Sequence, residues 1–267
     1  MLPPDYSERQ FLLGVIEYGV RIGDPRHPVE GYDVPNNRSC VELEDLLVEA
    51  IARNWDAGRL FEPEQWGLVS EFVHSLAAVL KATGKVREIH HMSAPLGKSM
   101  NDSIFYVSFH WAKVDRVMRV LRIGMWMWRI DIKDYYRNIE VDPADWHKQA
   151  FRFRLAVGAA VRIFWDMCMA FGVRNSVEIG HRFTCGTLAI LERVGVSKVT
   201  GTLDDFFGGE ASRQLCQRSY DKACKVFDDL GWPLQTGPGK SAGPSQQAKW
   251  NGFLWDTERG TVAVSVR

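Results

Sequence analysis

Two adjacent carboxylates, Asp204 and Asp205, stand between apolar runs, with Gly201-Thr202-Leu203 before them and Phe206-Phe207-Gly208 after. A chain that places two like charges side by side at this point has few ways to fold around them. The stretch from Lys198 to Gly208 reads as a short strand, an acidic turn and a second strand, with the charges at the strand ends. Clustered acids at strand ends are costly unless a cation is nearby. A polar hairpin turn, for which Asp is an ordinary residue, is the simpler alternative.

A third acid follows the same pattern. In Arg129-Ile130-Asp131-Ile132-Lys133-Asp134-Tyr135-Tyr136, an apolar strand ends on a carboxylate and an aromatic lies five positions later. Three carboxylates at neighbouring strand ends are the arrangement that holds two magnesium ions about 3.5–4 Å apart for in-line phosphoryl transfer. One such ion activates a hydroxyl nucleophile, and both stabilise charge on the attacking and leaving oxygens.

The rest of the chain supplies a scaffold of matching type. From Val41 to Trp55, Leu43, Leu46, Leu47, Ala50, Ile51 and Trp55 recur at helical spacing behind the acidic first-turn residues Glu42, Glu44 and Asp45. Strands are expected at Lys85 to His91, Trp126 to Ile132, Gln149 to Leu155 and Val161 to Met169. Helices are expected at Val177 to Val194 and Ala211 to Leu230, with Gly231 as a C-terminal stop. Gly23 to Asn37, rich in Pro, Gly and Asp, reads as a loop. The order strand, helix, hairpin, helix, strand describes an α+β fold with an antiparallel sheet.

The 267 residues, 46% hydrophobic and 25% charged, can bury one large core or two packed lobes. No N-terminal segment joins a basic start, an apolar run and a small-residue cleavage site, and the most apolar stretch, Leu155 to Val173, is broken by Arg162 and Asp166. An intracellular protein, cytoplasmic or nuclear and without membrane contact, is expected. The five cysteines, Cys40, Cys168, Cys185, Cys216 and Cys224, have neither zinc-site nor disulfide spacing and are expected to be free thiols. Net charge is zero, yet residues 1–80 carry 14 acidic against 6 basic side chains and residues 81–267 carry 19 against 27. A basic main body with an acidic N-terminal region is compatible with a polyanionic partner.

From about Ser75 to Asp256 the chain resembles the reverse transcriptases, the DIRS-type retrotransposon enzymes most of all. Lys81-Ala82-Thr83-Gly84-Lys85-Val86-Arg87-Glu88-Ile89-His90-His91-Met92-Ser93, continued by Pro95, Gly97 and Ser99 to Asp102, is similar to the family run K-x-x-G-K-W-R-L-I-H-H-L-S then P-x-G-x-S-V-N-D. The resemblance implies a right-hand polymerase of α+β class, with fingers and an antiparallel palm sheet backed by helices. Residues 1–73 would form an acidic, mostly helical N-terminal region, 74–125 the fingers and 126–267 the palm, ending after a primer-grip hairpin and without a thumb, RNase H or integrase region.

Site roles follow from the same resemblance. Asp131, Asp204 and Asp205 would hold Mg²⁺ or Mn²⁺ with the backbone carbonyl of Ile132. Lys81, Lys85 and Arg87 would hold the triphosphate, a task that suits a guanidinium fork. Asp134, Phe171 and Gly172 would complete nucleotide binding. Tyr136 matches the bulky residue that blocks a ribose 2′-hydroxyl, and Lys240, in Leu230-Gly231-Trp232 through Gly239-Lys240-Ser241, matches the lysine proposed to protonate the leaving pyrophosphate. Trp250, Gly252 and Phe253 match the primer grip. His90 and His91 are expected to be structural.

The chain departs from the family pattern at Thr202, Ala170, Val177, Asn251 and Glu88, the last adding a negative charge beside Arg87. None of these removes an expected metal ligand. Two functions are therefore expected from different classes. One is an RNA-directed DNA polymerase acting on an RNA or DNA template–primer with deoxynucleotides, either weak and distributive or completed by a protein partner that supplies a thumb. The other is a repurposed retroelement-derived protein that binds nucleic acid or a protein without polymerising.

Overall fold

The computed structural model of the chain describes residues 2–24, 26–27, 29–105, 114–237 and 239–265. Residues 106–113 of the expected 74–125 segment, and Pro238 and the last two residues of the 126–267 segment, lie outside the described residues. The helices are α1 Arg9–Tyr18, α2 Ser39–Glu42, α3 Glu44–Asp56, α4 Val114–Val120, α5 Ser176–Arg193 and α6 Arg213–Asp229. The first strands are β1 Tyr32–Asp33, β2 Leu60–Phe61, β3 Phe72–Leu80, β4 Val86–His91, β5 Trp126–Asp131, β6 Ala150–Phe153 and β7 Arg162–Asp166. They are followed by β8 Val199–Thr202, β9 Asp205–Glu210, β10 Ala242–Ser245, β11 Gln247–Trp250, β12 Phe253–Asp256 and β13 Thr261–Val264. This is a mixed α+β fold, and no helix among the described residues is long and apolar enough to cross a membrane.

The chain divides into two compact units, each discontinuous in sequence. The first holds Met1–Leu13, Ser108–Tyr135 and Glu178–Arg267, and the second holds Gly14–Val107 and Tyr136–Val177. In the first unit a four-stranded antiparallel sheet runs β10-β5-β9-β8. Helix α6 backs one face, where Phe206 meets Phe227 edge-on at 4.9 Å and Trp128 donates to Ser219 Oγ at 3.2 Å. The apolar stripe of α6, Cys216, Ala223, Val226 and Phe227, is buried. Ser212 caps its start, accepting from the Leu215 N–H, and Gly231 in the left-handed region ends it. There the Trp232 N–H donates to the Phe227 carbonyl and the Gly231 N–H to Asp228, which closes a Schellman motif as the sequence leads one to expect. A second sheet, β11-β12-β13, shares a core of Met125, Met127, Phe207, Trp250 and Trp255 with β5 and β9.

In the second unit the sheet runs β1-β3-β6-β7-β2, and β4 pairs with the C-terminal half of β3. Strand β3 is parallel to both β1 and β6 in its N-terminal half, so it is buried on both faces and shows no alternation in sequence. Its core, with Leu47, Ile51, Leu76, Phe151 and Phe164, packs under α3. The expected single helix from Val41 to Trp55 is two, α2 and α3. Leu43, with φ −120° and ψ 28°, breaks the ladder between them, while its side chain still packs on this core. All five cysteines are free thiols.

Candidate active site

Strand pairing brings the carboxylates together. Asp131 at the end of β5 lies directly opposite Asp205 at the start of β9, and Asp204 sits in the two-residue turn between β8 and β9. The turn requires Leu203 to adopt φ +53°, a left-handed conformation that a branched side chain takes only under strain. The Asp204 carbonyl accepts from the Ile132 N–H at 2.8 Å, tying the turn to the strand end beyond Asp131. Burial, then the charges of Asp204 and Asp131, push the Asp205 carboxyl up to about 8, against the opposing pull of Arg129 and Lys240.

The segment after α6 is stitched to this strand end on both sides of Asp131. The Lys133 N–H donates to the Pro233 carbonyl at 2.8 Å and the Gln235 N–H to the Asp131 carbonyl at 2.7 Å. The Asp131 N–H donates to Ser241 Oγ at 3.1 Å. That stitching carries Lys240 to the site, where its ammonium donates to Asp131 Oδ2 at 2.7 Å. Arg129, which the sequence reading did not single out, lies two residues before Asp131 on the same face of β5. Its guanidinium donates to the Lys249 carbonyl at 2.8 Å. Asp134 is exposed with φ +50°.

The hairpin matched to the primer grip divides its residues between core and surface. Trp250 is 1% exposed and stacks on Phe207 with ring centroids 5.3 Å apart, so its indole belongs to the core. Asn251 and Gly252, at φ +49° and +80°, form the exposed two-residue turn between the paired Trp250 and Phe253. Two positive φ angles in succession define a type I′ hairpin, for which Asn-Gly is the favoured pair. The departure at Asn251 therefore has a conformational reason.

The second unit holds the residues matched to nucleotide binding. Lys81 and Lys85 lie exposed in the β3–β4 turn, and Arg87 projects from β4 with its guanidinium 4.5 Å from the centre of the Phe171 ring. Phe171 meets buried Tyr136 edge-on at 5.0 Å. Phe171 thus touches both Arg87 and Tyr136. Gly172 explains why the loop sits so close to β4. A Cβ there would lie 1.8 Å from the His90 carbonyl oxygen, at φ +118°. Asn101 locks the same loop, donating to the Gly172 carbonyl at 2.8 Å and accepting from the Arg174 N–H at 2.9 Å.

Glu88, which departs from the family pattern, points away from Arg87 because neighbours on a strand face opposite ways. It lies in a buried cluster that sequence reasoning missed. Asn54 Nδ2 donates to Glu88, and Arg137 Nη1 donates to Asp166 Oδ2 at 2.6 Å. His90 Nε2 lies 3.4 Å from the same oxygen. Burial, reinforced by Asp166, raises the Glu88 carboxyl despite Arg137 and His90. Burial opposes the Asp166 charge too, but Arg137 and His90 bring that carboxyl down to about 2. The one sequence signal was Asp166 itself, an acid closing a strand behind the apolar run Ile163-Phe164-Trp165.

No family model matches the sequence, and no curated protein matches it either. Solved structures do. A foamy viral protease–reverse transcriptase dRH in complex with double-stranded DNA superposes with a TM-score of 0.67 at 14% identity, covering 96% of this chain and 44% of that one. A second foamy viral protease–reverse transcriptase with double-stranded DNA gives 0.64 at 15%, covering 99% and 54%. The native prototype foamy virus protease–reverse transcriptase gives 0.65 at 14%, covering 96% and 34%. The chain thus spans about half or less of the length of these proteins, and across almost all of its own length it has a reverse-transcriptase-like fold.

Proposed function

We propose that the chain is a template-directed nucleotidyltransferase, an RNA-directed DNA polymerase in the manner of the DIRS-type enzymes its motifs resemble. The observation that carries this reading is the placement of Asp131 opposite Asp205 with Asp204 in the adjoining turn. Like charges set directly opposite in a sheet destabilise it. Two hard cations are the partners that such oxygen donors fit, and burial, then the charges of Asp204 and Asp131, raises the Asp205 carboxyl to about 8. Bound there, Mg²⁺ would supply activation of a primer 3′-hydroxyl and stabilisation of the leaving oxygen. Asp131, Asp204 and Asp205 would hold the metal with the Ile132 carbonyl.

The remaining roles belong to the chain's own side chains. Lys81, Lys85 and Arg87 bind the triphosphate of a deoxynucleotide, with Phe171 supporting the guanidinium and Gly172 bringing backbone close. Tyr136 excludes a ribose 2′-hydroxyl. Lys240 donates a proton to the leaving pyrophosphate. The Asn251–Gly252 turn contacts the primer, and the basic residues after position 80 take the phosphates of an RNA or DNA template–primer.

A second reading, a protein that binds nucleic acid or another protein without polymerising, is favoured by the ion pair between Lys240 and Asp131, which satisfies that carboxylate without a metal ion. Primer extension on RNA and DNA templates with Mg²⁺ or Mn²⁺ separates the two. Extension that disappears in Asp131→Asn and Asp205→Asn supports the polymerase, and none with either ion removes it.

A further inference from the structure

Two cations accompany the three carboxylates of the first unit, and they are held differently. Arg129 rises from the middle of β5 and is anchored to a backbone carbonyl at Lys249. Lys240 sits in a turn between Gly239 and Ser241, its side chain is 41% exposed, and its ammonium meets the carboxylate of Asp131 at 2.7 Å. A guanidinium fixed on a strand is a permanent charge, whereas an ammonium on a flexible four-carbon stem can leave its partner for solvent. Among the described residues no three His, Cys, Asp or Glu side chains form a ready-made metal cluster.

We propose, resting on the metal-dependent reading above, that Lys240 is an exchangeable counter-cation of the carboxylate site, paired with Asp131 in the metal-free protein and displaced when a divalent ion binds. A doubly charged ion attracts Asp131 more strongly than an ammonium at similar distance, and the half-exposed stem gives the lysine somewhere to go. The exchange has two consequences. Divalent affinity is lowered by competition with the chain's own cation. The lysine is also released to meet a phosphate leaving group only once the metal is in place, which orders metal loading before proton donation.

The test uses the full chain, Mn²⁺ as the probe and no nucleic acid. Free Mn²⁺ is measured by electron paramagnetic resonance at fixed pH for the parent, Lys240→Met and the control Lys225→Met, whose exposed ion pair with Asp229 lies on α6. Lys240→Met is expected to bind Mn²⁺ roughly fivefold more tightly, the factor a partly exposed ion pair supplies, and the control to match the parent. In the unaltered protein, Mn²⁺ is expected to raise acylation of the Lys240 amine, read by mass spectrometry, and to leave Lys225 unchanged. Equal or weaker Mn²⁺ binding by Lys240→Met, or acylation indifferent to Mn²⁺, overturns the exchange while leaving the metal site standing. No Mn²⁺ binding by parent and variant alike, or binding undiminished in Asp131→Asn, overturns the metal site and the exchange with it.

Discussion

Asp131 and Asp205 face each other across the β5–β9 pair, one at the end of its strand and the other at the start. The backbone ladder holds two like charges where the side chains alone would separate, and Asp204 adds a third from the turn. Burial, then the charges of Asp204 and Asp131, raises the Asp205 carboxyl to about 8, against the pull of Arg129 and Lys240.

That upward shift has a measurable sign. An unfolded Asp titrates near 4, so between about pH 4 and pH 8 the folded chain retains a proton that the unfolded chain has lost. Stability of the metal-free protein therefore falls as pH rises through this window. Asp205→Asn is expected to be more stable than the parent at pH 9 in the presence of a chelator, by roughly 5 kcal/mol, with no advantage at pH 4. Thermal melts at the two pH values check it, and equal pH profiles for the two proteins would refute it.

The buried cluster of the second unit separates two acids that composition alone treats alike. Asp166 is ionised between Arg137 and His90, so Asp166→Asn strands the Arg137 charge and is expected to cost about 3 kcal/mol. Glu88, raised by burial, is expected to tolerate Glu88→Gln within about 1 kcal/mol. Urea titration of both variants is the measurement, and equal losses would mean that the two charges are wrongly apportioned.

Acid sensitivity is expected from His74, which is 0% exposed. Its Nδ1 accepts from the Tyr32 hydroxyl at 2.9 Å, and its Nε2–H donates to the Lys148 carbonyl at 2.7 Å. Burial brings its pKa down from 6.5 to about 4, helped by His90 and opposed by the Lys148 contact. The neutral ring's contribution is complete above pH 6.5 and is lost as pH falls towards 4, roughly 3 kcal/mol in all. In His74→Gln the slope of stability against pH over this interval should flatten, and an unchanged slope assigns the acid sensitivity elsewhere.

At the β11–β12 hairpin, stability and primer contact are expected to part. Trp250→Ala removes a buried indole from the Phe207 stack and should cost about 3–5 kcal/mol. Gly252→Ala meets open space at φ +80° and should cost only about 1–2 kcal/mol, yet it alters the exposed turn. Denaturation gives the first comparison. Primer-extension processivity of the folded variants gives the second, and a Gly252→Ala protein indistinguishable from the parent there removes the turn from primer contact.

Around Phe171, three substitutions form a set read by steady-state kinetics. Arg87→Ala and Phe171→Leu are both expected to raise the nucleotide KM, because the ring lies under the guanidinium. Tyr136→Val should instead raise ribonucleotide use relative to deoxynucleotide. An unchanged ratio takes Tyr136 out of sugar selection.

Local pattern was enough to locate β4 to β7, the β8–β9 hairpin, α5 and α6 and its Gly231 stop, because each depends on residues only a few positions apart. The α+β class followed from their order. Strand β3 was illegible for a physical reason: parallel neighbours bury both its faces, so the alternation that announces a strand is missing. The Asp204–Asp205 turn could be read from two adjacent letters, but the opposition of Asp131 to Asp205 is a matter of register across 74 positions. Long-range packing alone decided that Glu88 turns inward to Asn54, that Arg137 meets Asp166, and that Trp250 is a core residue beneath an exposed Asn-Gly turn. The pairing of Lys240 with Asp131 is of the same kind. Charge is written in the sequence, but which charges meet depends on how strands and loops distant in the chain are stitched together, and the hydrogen bonds of β5 and Lys133 with Pro233, Gln235 and Ser241 made that choice here.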